Sequence, residues 1–287
     1  MSKKLIKNKV IAFLGNDDSP DISNPIHSTE VAQAYGFAGA LVGGVTVWGW
    51  ASETIIQALG EDWLENGWSE FSFRQPTFPG DQLTIIASSN DTDNKNSWHI
   101  SMINQSKTIC VIGEVGLGDA PWINELVKPK EMLPKDNPNK GELILEETSA
   151  PSEWLAMKVN FSEEFCDEFT TQKQILGNPL FVGKDGIAHP SWIAGWGEQL
   201  LRHNYSVPSS MHTKSRVQHR KKIKVGDSVF GGAHLLSVYE RKAHHFANFD
   251  VLLQDKDGSE IAQLRHWTIF KIATAEEREN LDYSVYN

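Results

Sequence analysis

The sequence predicts an α+β fold built twice: two units, each an antiparallel sheet wrapped around one long apolar helix. Three observations carry this. The stretch Val45–Leu59 is apolar on nearly every side, short alternating segments bounded by turn residues follow it, and the whole pattern returns 146 residues further along. A helix without a polar face must be enclosed by the rest of the fold. Successive strands without intervening helices pair antiparallel, leaving the helix on one side of the sheet.

The opening MSKKLIKNKVIAFLG is basic, but its apolar part, Val10–Leu14, is shorter than the roughly 7–15 residues of a signal-peptide core, so no export is expected. Asn24 and Pro25 then fix a loop that presents His27, and Ser28 is placed to cap a helix over Thr29–Tyr35 that stops at Gly36. A second turn, Gly39–Gly44, leads into the apolar helix. Its first N–H groups lack intrahelical acceptors and favour negative charge. Strands are predicted at Glu70–Arg74, Gln82–Ser88, Trp98–Ile103 and Thr108–Leu117, with Pro79-Gly80-Asp81 turning between the first two.

Shifting the chain against itself by 146 residues places Gly49 and Trp50 on Gly195 and Trp196, Arg74 on Arg220, and Gly80 and Asp81 on Gly226 and Asp227. The apolar helix falls on Ser191–Tyr205, followed by strands at Thr213–Lys224, Ser228–Glu240, His245–Leu253 and Glu260–Ile272. Lys128–Gly141, rich in Pro, Lys and Asn, reads as a linker. The division is residues 1–127, a connecting segment 128–150, and residues 151–287, with a charged tail after Thr274 that is expected to be solvated.

Composition narrows the function classes. The chain has 287 residues, 40% hydrophobic and 22% charged, as in a globular protein with a sizeable core. A formal charge of −10 and a pI near 5.5 argue against nucleic acid as a general partner. Ala40–Leu59 has the length of a membrane span, roughly 20 residues, but Ser52, Glu53, Gln57 and three glycines argue against membrane insertion. Cys110 and Cys166 have no metal or redox spacing, so buried free thiols, a reducing cytoplasm and no bound metal are expected.

The run Asn24-Pro25-Ile26-His27, the short helix after it, Gly36-Phe37-Ala38-Gly39, the apolar helix and Pro79-Gly80-Asp81 together resemble the MaoC-like acyl-CoA hydratase/dehydratase family. Its fold is the hot-dog, an antiparallel sheet around a long helix, and two units in one chain resemble its double hot-dog form. The resemblance implies addition of water across the double bond of a trans-2-enoyl thioester, or the reverse. The substrate would be an acyl-CoA or acyl-carrier-protein thioester, with coenzyme A entering as part of the substrate rather than as a cofactor. His27 would be the acid/base, Asp21 its carboxylate partner and Asn24 the residue orienting the loop; Gly43 and Gly44 would bind substrate, the Gly44 N–H polarising the thioester carbonyl. In the family's D-x-N-P-[IL]-H spacing, Ile22 stands at the Asp position, with Asp21 one residue earlier, and Gly43 stands where the family has a histidine before glycine. In the second half the same shift matches the His27 loop to Thr170–Lys173, which carry no acid/base pattern, while His189 falls at the histidine–glycine position.

Other residues bear on substrate and on alternatives. Lys214–Lys224 holds six basic residues and no acid, and alternation puts Arg216, Arg220 and Lys222 on one strand face, a patch suited to the phosphates of coenzyme A. Trp48, Trp50, Trp63, Trp68, Trp192 and Trp196 read as core or as an acyl tunnel. Glu53, inside the apolar helix, is the carboxylate that a hot-dog thioesterase would use, and a non-catalytic acyl-CoA-binding protein is the third reading. Hot-dog units commonly pair, so a homodimer is possible.

Overall fold

In the computed structural model, residues 4–15, 24–89, 97–145, 152–174 and 178–280 are described. Strand β1 (Leu5–Ile11) is followed by a 3-10 turn at Pro25–His27 and by α1 (Thr29–Ala34), capped by Ser28, whose Oγ accepts from Val31 N at 3.3 Å. The apolar stretch forms α2 (Gly44–Gly49) and α3 (Ser52–Leu59), with Trp50 and Ala51 between them still in helical conformation, so the expected single helix is one path with a slight break. A short α4 (Trp63–Asn66) leads to β2 (Gly67–Phe73), β3 (Gln82–Ser89), β4 (Ser97–Ile103) and β5 (Ile109–Leu117).

The connecting segment carries β6 (Gly141–Glu142). The second half then runs through β7 (Ser152–Glu153), β8 (Met157–Asn160), α5 (Glu163–Lys173), a 3-10 turn at Pro179–Phe181, α6 (Pro190–Ala194), α7 (Trp196–Asn204) and β9 (Tyr205–Ser206). Its long strands are β10 (Met211–His219), β11 (Ser228–Arg241), β12 (His244–Gln254) and β13 (Glu260–Lys271), and α8 (Ala275–Glu279) follows. The strand expected over Thr213–Lys224 therefore ends at His219, where the backbone N–H groups of Arg220 and Lys221 both turn to Ile261 O.

One antiparallel sheet spans both halves in the order β1-β3-β4-β5-β2-β10-β13-β12-β11, with β7 and β8 on the outer edge of β11. The halves join where β2 pairs with β10, and there Glu70 faces Arg216, its counterpart one repeat length (146 residues) away. A local two-fold relation thus passes through this pair. Arg216 Nε donates to Glu70 Oε2 at 2.8 Å and Lys214 Nζ lies 2.6 Å from Oε1.

The repeat extends to single hydrogen bonds. Val42 N donates to Thr77 O at 2.9 Å, and Ala188 N to Ile223 O at 2.8 Å. Gly80 and Gly226 both adopt positive φ, 90° and 97°, in turns where Asp81 and Asp227 accept from Phe78 N and Lys224 N. Only glycine takes that conformation without strain, which is why these residues stand out in the repeat.

Each helix path lies against its own half of the sheet. Trp48, Trp50, Ile55 and Trp63 pack with Phe71, Leu83, Ile85 and Met102; Trp192, Trp196, Leu200 and Leu201 pack with Val229, Leu235, Phe249 and Leu253. Fully burying a side chain of this size contributes about 2–3 kcal/mol. The connecting segment is not a free coil in its described part: β6 pairs with β9, and Asn137 and Lys140 donate to the carbonyls of Arg202, His203 and Asn204. These are the orphan carbonyls at the end of α7. The start of the tail is likewise tied down, since Thr274 caps α8 and Arg278 donates to Tyr35 O in the first half.

Candidate active site

The His27 loop is held from both sides. Pro25 starts a 3-10 turn closed by Ser28 N donating to Pro25 O at 2.8 Å, and Ile26 is buried with Leu41, Ile269 and Ile272. Burying Ile26 turns the His27 ring toward the start of α2, where its Nδ1 lies 2.7 Å from Leu41 O. A carbonyl only accepts, so Nδ1 carries the proton and Nε2 presents a lone pair. Nε2 faces the Asn24 amide nitrogen at 3.4 Å. The orientation of that amide is fixed by the second half: Ser210 N donates to Asn24 Oδ1 at 3.1 Å, and Asn24 Nδ2 donates to Ser210 O at 3.0 Å.

His27, Asn24, Gly43 and Gly44 line one cavity of about 520 Å³ between the halves. Phe165, Phe169 and Lys173 of α5, Trp192 of α6, Glu198 and Arg202 of α7, and Ser210, His212 and His266 complete its walls. The backbone at the two glycines comes close to the cavity side chains, most tightly at Gly44. A Cβ on Gly43 would lie 3.4 Å from the His27 ring, and one on Gly44 would lie 3.0 Å from His212 Cβ. Burial lowers the His27 pKa below the ordinary histidine value; the Leu41 carbonyl and the charge of Glu198 oppose this, while Lys173 and Arg202 reinforce it.

Glu198 is the carboxylate of this cavity among the described residues, and the sequence gives little sign of it. Arg202 Nε donates to its Oε1 at 2.8 Å, Ser210 Oγ donates to the same oxygen, and Arg202 Nη2 donates to Ser210 Oγ at 3.0 Å. Beneath them the half-buried His212 and the buried His266 stack at 4.1 Å, both neutral, with His266 pushed down to about 3 by desolvation.

The remaining candidates lie elsewhere. Asp21 falls outside the described residues. Arg216, Arg220 and Lys222 do not reach the cavity: Arg216 pairs with Glu70 and Glu125, Arg220 with Asp119, and Lys222 with Glu65. Acids distant in sequence, brought near by the fold, thus pair with these three basic residues. Of the six tryptophans only Trp192 touches the cavity; the others are core. Glu53 is exposed and accepts from Asn178 and Gln57 instead of facing the cavity. Among the described residues no group of three or more His, Cys, Asp or Glu could hold a metal ion, and no helix is long and apolar enough to cross a membrane.

The counterpart of the His27 loop also differs from expectation. Thr170–Lys173 belong to α5, and the matching turn is Asn178-Pro179-Leu180-Phe181. Ile187 N donates to Leu180 O at 2.8 Å as Leu41 N donates to Ile26 O at 3.3 Å, which fixes the correspondence. An insertion before this turn, including α5, and the lack of an α1 equivalent after it break the constant shift. Phe181 therefore stands where the first half has His27. Its ring packs 4.6 Å from His189, which occupies the Gly43 position and caps α6 through Ser191 N. That second location is filled by aromatic rings.

No protein-family model matches the chain, and no curated protein sequence matches it. Solved structures do. A MaoC-like dehydratase is 14% identical over 86% of this chain and 89% of its own, with a TM-score of 0.58. A Mycobacterium tuberculosis protein with a double hot-dog fold is 11% identical over 94% and 96%, with a TM-score of 0.60. A protein described as a MaoC-domain dehydratase, from Chloroflexus aurantiacus, is 12% identical over 85% and 86%, with a TM-score of 0.53. The fold is the double hot-dog, and the resemblance to MaoC-like proteins seen in the motif holds at the level of the fold.

Proposed function

We propose that this chain is an acyl-thioester hydratase/dehydratase acting on an enoyl-CoA, a 3-hydroxyacyl-CoA or the carrier-protein equivalent. The observation that carries the reading is His27: a neutral imidazole, locked through Nδ1 to Leu41 O, with its basic Nε2 beside a cavity that opens at Gly43 and Gly44. In hydration, Nε2 accepts a proton from water as the oxygen bonds to C3. The displaced π electrons move toward the thioester oxygen. Gly44 opens α2 and lines the cavity, so its N–H is free of an intrahelical acceptor and available to polarise that oxygen. Asn24, tied to Ser210, keeps the loop in register. The test is hydration of crotonyl-CoA and longer enoyl-CoAs by the wild type and by His27→Ala. The reading requires turnover that falls about 10²-fold or more in the variant; equal rates would defeat it.

A thioesterase is the second reading, favoured by one observation, the presence of Glu198 in the cavity. Release of free coenzyme A from saturated acyl-CoAs, with no hydration of enoyl-CoAs, would decide for it.

A further inference from the structure

Helix α7 divides its side chains between two tasks. Trp196, Gly197, Leu200 and Leu201 are buried in the second core, while Glu198 and Arg202 keep 25% and 23% of their side-chain surface and line the cavity. Glu198 uses one oxygen for structure: Oε1 accepts from Arg202 Nε at 2.8 Å and from Ser210 Oγ. Arg202 is itself anchored, with Nη1 donating to Val207 O at 2.9 Å. The other oxygen, Oε2, has no hydrogen-bond partner among the described residues; His266 Nε2 stands 4.0 Å away. Ser210 in turn grips Asn24, and Asn24 faces His27 Nε2. A continuous polar chain therefore runs from Glu198 in one half to His27 in the other, and both ends lie on the same cavity.

We propose that Glu198 is a catalytic residue of this cavity, working with His27 from across the junction of the halves and holding the water that His27 deprotonates. The inference rests on the hydratase reading above. The reacting water donates one hydrogen to Glu198 Oε2 and the other to His27 Nε2. As its oxygen bonds to C3, the second hydrogen moves to Nε2 as a proton and the C2–C3 π pair becomes the enolate. His27 then returns the proton to C2, so the two carbons gain one H and one OH and both residues end as they began. Glu198 remains ion-paired to Arg202 at 2.8 Å throughout, and its negative charge favours the transient imidazolium. The charged groups that act on His27 are Glu198 and Arg202 from α7 and Lys173 from α5. The polar atoms against its ring are Leu41 O and the Asn24 amide. A carboxylate supplied by the other half meets the need that the loop motif assigns to a residue of its own half.

The test compares wild type, Glu198→Gln, Glu198→Ala and His27→Ala. Hydration of crotonyl-CoA is followed against pH, and the His27 ring is titrated by NMR in the absence of substrate. Glu198→Gln keeps an Oε1 acceptor for Ser210 and Arg202, and equal melting temperatures establish that it folds. The expected result is a loss in kcat of about 10²-fold with KM little changed. Removing the negative charge also lowers the His27 pKa, so its titration and the acid limb of activity move to lower pH. Glu198→Ala should lose at least as much activity with the same displacement. Full activity in Glu198→Gln, or lost activity with an unmoved His27 titration, overturns the assignment while His27→Ala still reports on the reaction. Wild-type protein that hydrates no enoyl-CoA overturns both.

Discussion

Asn24 offers a direct perturbation of the junction on which the site depends. Its side chain exchanges three hydrogen bonds with Ser210, at 3.0, 3.1 and 3.3 Å, and presents its amide to His27 Nε2 at 3.4 Å. In Asn24→Ala all three bonds are lost, and at about 0.5–1.5 kcal/mol each in a partly exposed setting the cost is about 2–3 kcal/mol. For a chain of 287 residues that lowers the melting temperature by roughly 3–5 °C. Asn24→Asp separates stability from chemistry. It keeps an acceptor for Ser210 N but loses the donor to Ser210 O, and sets a carboxylate beside the His27 lone pair. The carboxylate favours the imidazolium, so the His27 pKa rises and the acid limb of activity moves to higher pH, opposite to Glu198→Gln. Urea unfolding at about pH 8 and an NMR titration of His27 read both effects. An Asn24→Asp protein within about 0.5 kcal/mol of wild type, with an unmoved His27 titration, would refute this account of the loop.

Four further outcomes follow from the packing. His189, His219 and His266 are buried, His212 is half-buried, and all four are neutral, with desolvation pushing His189 and His266 to about 3, His219 to about 4 and His212 well down. The unfolded chain protonates these rings below its ordinary histidine value while the folded protein does not, so stability falls with pH. From about pH 6 downward, urea midpoints should report a loss of about 5 kcal/mol per pH unit, and a flat profile to about pH 5 would contradict the burial. Gly197→Ala would place a Cβ 2.7 Å from His266 Cγ, and melting should show a loss of about 1–3 kcal/mol from overpacking. Cys110 and Cys166 are buried, with Cys166 raised to about 11 by desolvation, so a thiol reagent should label neither until the protein unfolds. Phe181→Ala empties the space against His189 and should cost about 3–5 kcal/mol without affecting the His27 titration.

The fold was largely legible because its signals are local. Strand β3 was expected at Gln82–Ser88 and is Gln82–Ser89, and the caps of α1 follow from Ser28 and Gly36. Strand β1 has only a weak local signal: Lys7, Asn8 and Lys9 suit an edge strand, where charge discourages further pairing, but they interrupt its apolar alternation. The candidate site was legible only in the His27 loop and the glycine turn that follows it, at Asn24, His27, Gly43 and Gly44. Glu198 carries no local signal, because the shifted alignment draws the eye to its neighbour, Gln199, opposite Glu53. What makes Glu198 part of the site is the passage of α7 beside a loop about 170 residues earlier in the chain. The basic run misleads for the same reason. Its partner Glu70 is set opposite it by the pairing of β2 with β10, while Glu65 of α4 and Asp119 after β5 are brought to it by the fold, which no window of sequence displays.

The two halves have diverged in complementary ways, and fusion makes that possible. In a symmetric pair of identical units every residue would occur in both sites, so a change that closes one would close the other. Here the first half has His27 in the loop and Gly43 at the helix start, whereas the second has Phe181 in the loop and His189 at the helix start, capping α6 and packed against Phe181. Released from presenting an open site of its own, the second half supplies walls to the first. The end of α5 lies against Gly15 and Gly49, with Lys173 O accepting from Trp50 Nε1 at 3.2 Å, and α7 contributes Glu198 and Arg202. The connecting segment, bonded to the end of α7 through Asn137 and Lys140, holds that helix in place. Either half alone would lose one side of the cavity and expose the joining edge of β2 or β10, so the site belongs to the fused chain and to neither unit separately.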